Sequence, residues 1–126
     1  MKRILIVDDQ KSWRDFHRNI ILGLFDDAVI CTADSARAGY DFLLSENEKP
    51  FDIIITDMQM ENDFEPKYAG EWFIEQIKTF KSFDKTKIVI ISATYDIKSI
   101  AENYSVEYIR KSTALNFPDA YNILKN

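Results

Sequence analysis

The sequence contains very little cysteine, glycine or proline: one Cys, three Gly and three Pro in 126 residues. The single thiol, Cys31, cannot form an internal disulfide, which indicates a reducing compartment. Cys31 lies in an apolar run, so we predict it to be a small buried residue. No Gly/Ser-rich linker, repeat or low-complexity tract divides the chain. Residues 1–126 are therefore predicted to form one domain.

Positive charge and long apolar runs are also scarce. The 16 Lys and Arg residues are outnumbered by 21 Asp and Glu, giving a formal net charge of -5. Direct nucleic-acid binding normally requires a basic surface, so none is expected. The first apolar run, 4–7, is too short for a secretion signal, and no run is long enough to span a membrane. We expect a cytoplasmic protein with no membrane association.

Three short apolar runs are rich in β-branched residues and do not alternate with polar ones. They cover residues 4–7, 53–55 and 88–91. Strands of this composition are buried on both faces, as in a parallel sheet covered by helices. Two weaker candidates at 28–31 and 106–109 bring the predicted number of strands to five.

Helical patterns separate these strands. Apolar side chains recur at helical spacing in three segments: Trp13, Phe16, Ile20 and Leu24; Ala38, Phe42 and Leu43; Trp72, Phe73, Ile77 and Phe80. The second helix is expected to begin after Asp34 or Ser35 as its N-cap. A fourth helix is predicted over 96–103, and a last one from about Pro118. Alternating strands and helices predict the α/β class, a doubly wound parallel sheet with helices on both faces.

Polar side chains follow the strands where each one ends. They are Asp8 and Asp9, Asp57, Ser92 and Lys111, in chain order. Ligands of open parallel sheets bind at this edge. Two like charges about 4 Å apart repel by roughly 4 kcal/mol at a surface-like dielectric, so clustered carboxylates require a cation. Carboxylates with a phosphate are the usual environment of Mg²⁺, and the sequence therefore predicts a magnesium site here.

This set of residues resembles the response regulator receiver domain of two-component signalling, over essentially the whole chain. The resemblance implies a flavodoxin-like strand order of 2-1-3-4-5, with Asp9 beside Asp57. It also implies that Asp57 takes a phosphoryl group from a sensor histidine kinase or a phosphotransfer protein. Asp9, Asp57 and the main-chain carbonyl of Gln59 would bind Mg²⁺, and Asp8 would contribute through water.

The resemblance assigns roles to three further residues. Ser92 and Lys111 would contact phosphoryl oxygens, and Tyr108 would be the aromatic switch residue. Phosphorylation would then reshape a face formed by 96–103 and 108–126. That face would serve a downstream protein or an output domain, whose identity the sequence does not reveal.

The chain departs from the family pattern around Lys111 and before the last strand. Ser112 follows Lys111, where the family usually has proline, commonly with a cis bond. A cis bond before a residue other than proline costs roughly 2.5–4 kcal/mol, so a trans bond here could place the lysine differently. Tyr104-Ser105 stands where the family often has Gly-Ala. We therefore expect an unusual end to the fourth helix.

A third departure is the long acidic loop 58–69. Glu61 replaces the usual proline, and Gly70 follows several residues later than the corresponding glycine of the family. Such a loop is either a partner-binding surface or a solvated insertion. The sequence favours the solvated insertion.

Two other functions compete with the phosphoacceptor. A receiver that never takes phosphate would act as a constitutive protein-binding module. A phosphatase of the haloacid dehalogenase type would also use an aspartate and Mg²⁺, but it needs a second Asp where this chain has Gln59. The only histidine, His17, is predicted to be an ordinary helix residue far from the site. The chain is thus expected to be a signalling domain and not an enzyme in the usual sense.

Overall fold

The computed structural model describes residues 1–61 and 67–126, in which strands alternate with helices. The strands are β1 (Lys2–Val7), β2 (Ala28–Ala33), β3 (Ile53–Thr56), β4 (Lys87–Ser92) and β5 (Glu107–Arg110). The α-helices are α1 (Lys11–Leu24), α2 (Ala36–Ser45), α3 (Ala69–Thr79), α4 (Ile97–Tyr104) and α5 (Lys111–Asn116). Two 3₁₀ segments cover Lys81–Phe83 and Pro118–Lys125. Within the described ranges, no helix is both long and apolar enough to cross a membrane.

The five strands form one parallel sheet in the order β2-β1-β3-β4-β5. This confirms the predicted doubly wound class and the predicted strand order. In the centre of the sheet, Ile4 of β1 pairs with Ile53 of β3, and Ile54 pairs with Ile88 of β4. The uninterrupted apolar runs occupy these central strands because helices cover both of their faces.

Two hydrophobic cores lie on opposite faces of the sheet. Alternation along β1 sends Leu5 and Val7 into the core beneath α2, α3 and α4. Ile4 and Ile6 enter the other core, beneath α1, α5 and the last 3₁₀ segment. Each face of a single strand therefore contributes to a different core, which explains the lack of alternation in the sequence.

Helix α2 begins where the sequence indicated. The Ser35 hydroxyl accepts a hydrogen bond from the Ala38 N–H at 3.0 Å, so Ser35 is the N-cap. The prediction for Cys31 was wrong in part, because this residue is only half-buried. It lies on β2, an edge strand that the helices cover incompletely. The partial burial raises the pKa of the Cys31 thiol.

The C-terminal region differs from the single predicted helix. A short α-helix, α5, begins directly after β5 and ends at Asn116, and the segment from Pro118 to Lys125 is 3₁₀. The residue before a proline disfavours the α conformation, and Phe117 accordingly has φ −137° and ψ 74°. The Lys87 ammonium donates to the carbonyls of Ile123 at 2.6 Å and Asn126 at 2.5 Å. These contacts hold the end of the chain against β4.

The end of α4 is unusual, as expected from Tyr104-Ser105. The Val106 N–H donates to the Ala101 carbonyl at 3.0 Å, and the Ser105 N–H donates to the Glu102 carbonyl at 3.2 Å. This is the Schellman motif, which favours glycine at the residue of left-handed conformation. Here that residue is Ser105, with φ 55°.

Ser105→Gly is therefore expected to raise the free energy of unfolding by about 0.5–1 kcal/mol. Glycine removes the steric cost of a side chain in the left-handed conformation, and its larger loss of backbone entropy on folding offsets part of that gain. Urea unfolding measures the change. Ser99→Gly, at an exposed position inside α4, is the control and should destabilise the protein. Equal destabilisation by both substitutions would contradict the role of the left-handed conformation.

Candidate functional site

Three carboxylates meet at the carboxyl edge of the sheet. Val7 and Thr56 are paired at the ends of β1 and β3, so the residues that follow them are neighbours. Oxygen atoms of Asp8, Asp9 and Asp57 lie within 4.8 Å of one another. Asp8 and Asp57 are buried, whereas Asp9 is exposed. The arrangement concentrates negative charge at the position where the sequence predicted a metal.

Lys111 reaches this cluster from the start of α5. Its Nζ lies 2.9 Å from Asp8 Oδ2 and 2.9 Å from Asp57 Oδ2, with 9% of the side chain exposed. Burial alone would lower the pKa of Lys111, but the two carboxylates outweigh that effect and raise it. The lysine thus joins the site as a cation although Ser112 follows it.

Asp8 retains an oxygen suited to a cation. Its Oδ1 accepts a hydrogen bond from the Gln10 N–H at 2.9 Å. Its Oδ2 is buried and accepts no hydrogen bond from the described part of the chain, although it contacts the Lys111 ammonium. That contact is therefore ionic and leaves lone-pair capacity unused. Burial raises the pKa of Asp8 despite the opposing effects of Gln10 and Lys111.

Asp57 is held by contacts at both carboxylate oxygens. Its Oδ1 accepts from the Met58 N–H at 2.7 Å, and its Oδ2 faces Lys111. The Asp57 N–H donates to the Val7 carbonyl at 3.0 Å, which extends the β1–β3 pairing to the site. Gln59 has an exposed side chain two residues later. The role of its main-chain carbonyl in metal binding stays a prediction.

Gly70 packs against the backbone of the site, although it follows Asp57 at an unusual distance. Its N–H donates to the Met58 carbonyl at 3.0 Å. A Cβ atom at position 70 would lie 2.1 Å from the Asp57 carbonyl oxygen and 2.7 Å from the Met58 Cα. Both neighbours are backbone atoms and cannot move aside easily. Glycine is thus required where α3 begins beside Asp57.

Gly70→Ala is expected to lower the free energy of unfolding by about 1–3 kcal/mol, because the methyl group overpacks the junction between β3 and α3. Chemical denaturation measures the loss. Gly23→Ala provides a matched control, since a Cβ at position 23 of α1 would meet no described atom within 4 Å beyond its chain neighbours and the local helix backbone. That control should stabilise the protein by about 0.5–1 kcal/mol. A Gly70→Ala variant with the stability of wild type would contradict the close approach of position 70 to the backbone of Asp57 and Met58.

Ser92, the last residue of β4, and Thr94 form a local hydrogen-bonded pair. The Ser92 hydroxyl donates to Thr94 Oγ1 at 3.0 Å and accepts from the Thr94 N–H at 3.2 Å. Both residues are buried. Ser92 and Lys111 also line one pocket of about 150 Å³. The structure therefore brings Ser92 to the same edge as the acidic cluster.

Tyr108 is half-buried on β5, where it pairs with Ile90. The Arg110 guanidinium lies 5.9 Å from the centre of its ring. A separate pocket of about 330 Å³, also lined by Arg110 and Thr113, borders Tyr108. These contacts place the ring at the surface of β5, and its switch role stays a prediction.

Glu61 links the loop after Asp57 to α2. Its carboxylate accepts from the Ala36 N–H at 2.6 Å and from the Arg37 N–H at 3.4 Å. A negative side chain is favourable at a helix N-terminus, which explains an acidic residue at this position. Residues 62–66, on which the interpretation of the acidic loop depends, lie outside the described residues.

Sequence reasoning missed the contribution of α1 to this site. Trp13 was predicted as a helix-face residue only, yet its ring centre lies 5.0 Å from Lys111 Nζ. His17, one turn later, is buried, and its Nδ1 is hydrogen-bonded to the Tyr121 hydroxyl at 2.6 Å. His17 is closer to the site than expected, since its ring centre lies 5.5 Å from that of Trp13, which contacts Lys111. Burial lowers the pKa of His17, and the charge of Lys111 lowers it further. The four-residue spacing of Trp13 and His17 places them on one face of α1, but it does not indicate that this face contacts Lys111.

Comparison with protein families matches residues 4–115 to the response regulator receiver domain. The match covers most of the chain, which therefore belongs to this family of signalling domains. Its fold, with an acidic cluster at the carboxyl edge of the sheet, is that of a receiver domain. Comparison with curated proteins gives no significant match.

Solved structures of response regulators share the fold. TrrA from Thermotoga maritima, determined in complex with Mg²⁺–BeF, is 25% identical with a TM-score of 0.77, over 99% of this chain and 97% of that one. The Mn²⁺-bound form of Rcp1 is 19% identical with a TM-score of 0.77, over 99% and 90%. CheY4 of Vibrio cholerae is 22% identical with a TM-score of 0.67, over 88% and 87%.

Proposed function

We propose that residues 1–126 form a receiver domain that accepts a phosphoryl group on Asp57 in a Mg²⁺-dependent reaction. The donor is a sensor histidine kinase or a phosphotransfer protein. The observation that carries this proposal is the environment of Asp57: a buried carboxylate that contacts the Lys111 ammonium and lies close to the carboxylates of Asp8 and Asp9. Membership of the receiver family supports the same conclusion.

The residues present suit phosphoryl transfer to a carboxylate. In this reaction a P–O bond to Asp57 forms while the P–N bond of the donor phosphohistidine breaks, and the bonding electron pair leaves with the imidazole. Catalysis consists mainly of positioning and charge neutralisation, so no general base is required. The Met58 N–H and Lys111 fix the two oxygens of Asp57 before transfer. Lys111 is also close enough to neutralise charge on an incoming phosphoryl group.

A magnesium ion fits the donor set. The buried Asp8 Oδ2 lacks a hydrogen bond, and oxygens of three carboxylates converge within the distance needed for one ion. Asp9, Asp57 and the Gln59 carbonyl would hold Mg²⁺, with Asp8 acting through water. When bound, the ion supplies positive charge to the phosphoryl oxygens. The complex of TrrA with Mg²⁺–BeF, a protein 25% identical to this chain, supports this assignment.

We expect millimolar Mg²⁺ affinity, roughly 4 kcal/mol of binding free energy, because such a site leaves several waters on the ion. Asp9→Ala should weaken binding at least tenfold by removing the exposed carboxylate of the cluster. Isothermal calorimetry measures the affinity. Asp84→Ala, at an exposed position just before β4 and thus at the other end of the sheet, should leave it unchanged. Equal affinities for wild type and Asp9→Ala would refute the metal assignment.

The proposal extends to a switch at the surface of β5. An acyl phosphate at Asp57 carries about -1.5 to -2 charges in place of the single negative charge of the carboxylate, and its oxygens draw the Ser92 hydroxyl away from Thr94. Tyr108 then turns inward and reshapes the face formed by 96–103 and 108–126. That face contacts a downstream protein or an output domain. The acidic composition gives no basis for direct nucleic-acid binding.

Phosphorylation by a small donor tests the function directly. The purified chain is incubated with acetyl phosphate or phosphoramidate and Mg²⁺, and its intact mass is measured with time. One added phosphoryl group per chain, abolished by EDTA, is expected. An unchanged mass would instead support the constitutive protein-binding module. Sustained release of phosphate with no phosphorylated protein would support the phosphatase.

A further inference from the structure

We propose that Trp13 is a positioning residue for Lys111. The face of the Trp13 indole ring holds the Lys111 ammonium over Asp57 by a cation–π contact. This inference rests on the proposed function. Lys111 Nζ lies 5.0 Å from the centre of the Trp13 ring, well within the range of such contacts. The lysine side chain is almost fully buried, so water competes little for the ammonium and the contact is strengthened.

The Trp13 ring is itself fixed by aromatic neighbours. Phe16 packs edge-on against it, with ring centres 5.3 Å apart and an interplanar angle of 77°. His17 lies below, with ring centres 5.5 Å apart, and is tied to Tyr121 in the last 3₁₀ segment. The ring therefore cannot rotate freely away from Lys111. Helix α1 and the C-terminal segment together support the position of the ammonium.

Lys111 needs a contact of this kind because its other partners, the Asp8 and Asp57 carboxylates, also serve the metal and the phosphoryl group. The ammonium contacts Asp8 Oδ2 and Asp57 Oδ2, which are also the oxygens available to a metal or a phosphoryl group. When these oxygens engage a second cation or form a P–O bond, their attraction for Lys111 falls. The indole face binds neither a hard cation nor phosphate, so it remains a partner of the ammonium throughout the reaction.

The test compares Trp13 variants in their rate of phosphorylation by acetyl phosphate with Mg²⁺. Trp13→Leu, which keeps an apolar side chain without a π face, should react about fivefold to thirtyfold more slowly. Trp13→Phe should lie between this variant and wild type. Mg²⁺ affinity should change little, since Trp13 is not a ligand. A Trp13→Leu variant that is folded and reacts at the wild-type rate would overturn the proposal.

Fluorinated tryptophan separates the electronic role from packing. The Trp72→Phe background leaves Trp13 as the only tryptophan. Successive fluorination withdraws electron density from the ring with little change of size, and the rate should fall at each step. A rate independent of fluorination would show that Trp13 acts through its bulk alone and would overturn the proposal.

Nuclear magnetic resonance tests the placement without phosphorylation. The side-chain methylene protons of Lys111 should show upfield ring-current shifts in the wild-type chain and lose them in Trp13→Leu. If wild type accepts no phosphate but these shifts are present, the proposed function fails while the contact stands. Unshifted Lys111 protons in wild type would overturn the placement itself.

Discussion

Asp57→Asn is expected to accept no phosphoryl group from acetyl phosphate in the presence of Mg²⁺, whereas the wild-type chain accepts one. The amide has the shape of the carboxylate but lacks its negative charge and is a very weak nucleophile. Its oxygen can still accept from the Met58 N–H, which contacts Asp57 Oδ1 in the structure. The substitution therefore removes the reacting group while retaining the local backbone contact.

Two further substitutions separate chemistry from metal binding. Asp9→Asn should slow phosphorylation and raise the Mg²⁺ concentration needed for half-maximal rate, because a metal ligand is weakened while the acceptor Asp57 remains. Asp84→Asn should react like wild type, since Asp84 lies just before β4. Peptide mapping after hydride reduction of the acyl phosphate should label position 57. A label elsewhere, or full labelling of Asp57→Asn, would refute the assignment of the acceptor.

The fold could be predicted because its strongest signals are local. The apolar runs of β1, β3 and β4 are continuous, and each is followed by a polar residue of the site. The strand order came from the family resemblance, and the structure and family match confirm it. Once parallel strands are assumed, the residues after them must share an edge, which is why Asp8, Asp57 and Lys111 were grouped correctly in space.

The remaining features depend on contacts between distant segments. The last helix predicted from about Pro118 does begin there, but it is 3₁₀, because helical spacing around Tyr121 and Leu124 does not distinguish α from 3₁₀ structure over so few residues. The short helix α5 before it was not predicted. The contact of Trp13 with Lys111 joins residues that are 98 positions apart in the sequence (111 - 13 = 98). Glu61 likewise reaches α2 through a side chain. Composition and periodicity carry no information about such pairs.

The stability of the protein is expected to fall steeply between pH 6.5 and about pH 3 because of His17. Burial, with a smaller effect of the Lys111 charge, lowers the pKa of His17 from 6.5 to about 3. Below pH 6.5 the unfolded chain binds a proton that the folded chain excludes, so stability decreases as pH falls. The loss is about 1.4 kcal/mol per pH unit, or roughly 3 kcal/mol by pH 4.

Other groups titrate in the same range, so the prediction concerns the difference in pH dependence between the wild-type protein and a variant without His17. The raised pKa of Asp8 opposes the loss, and the lowered pKa of Glu75 adds to it. His17→Gln removes the titrating ring and keeps a polar partner for the Tyr121 hydroxyl, which contacts His17 Nδ1. The free energy of unfolding is measured by urea titration for this variant and for wild type. Between pH 6 and 4, its slope against pH should be smaller in the variant than in wild type by about 1.4 kcal/mol per pH unit.

The single histidine permits a direct check of the cause. Because His17 is the only imidazole in the chain, its ring protons can be followed without ambiguity in nuclear magnetic resonance spectra. They should keep the shifts of the neutral ring down to pH 4, while the same protons in urea-unfolded protein titrate near pH 6.5. A folded-state titration near 6.5, or parallel pH profiles for wild type and His17→Gln, would mean that the buried pair with Tyr121 does not couple folding to pH.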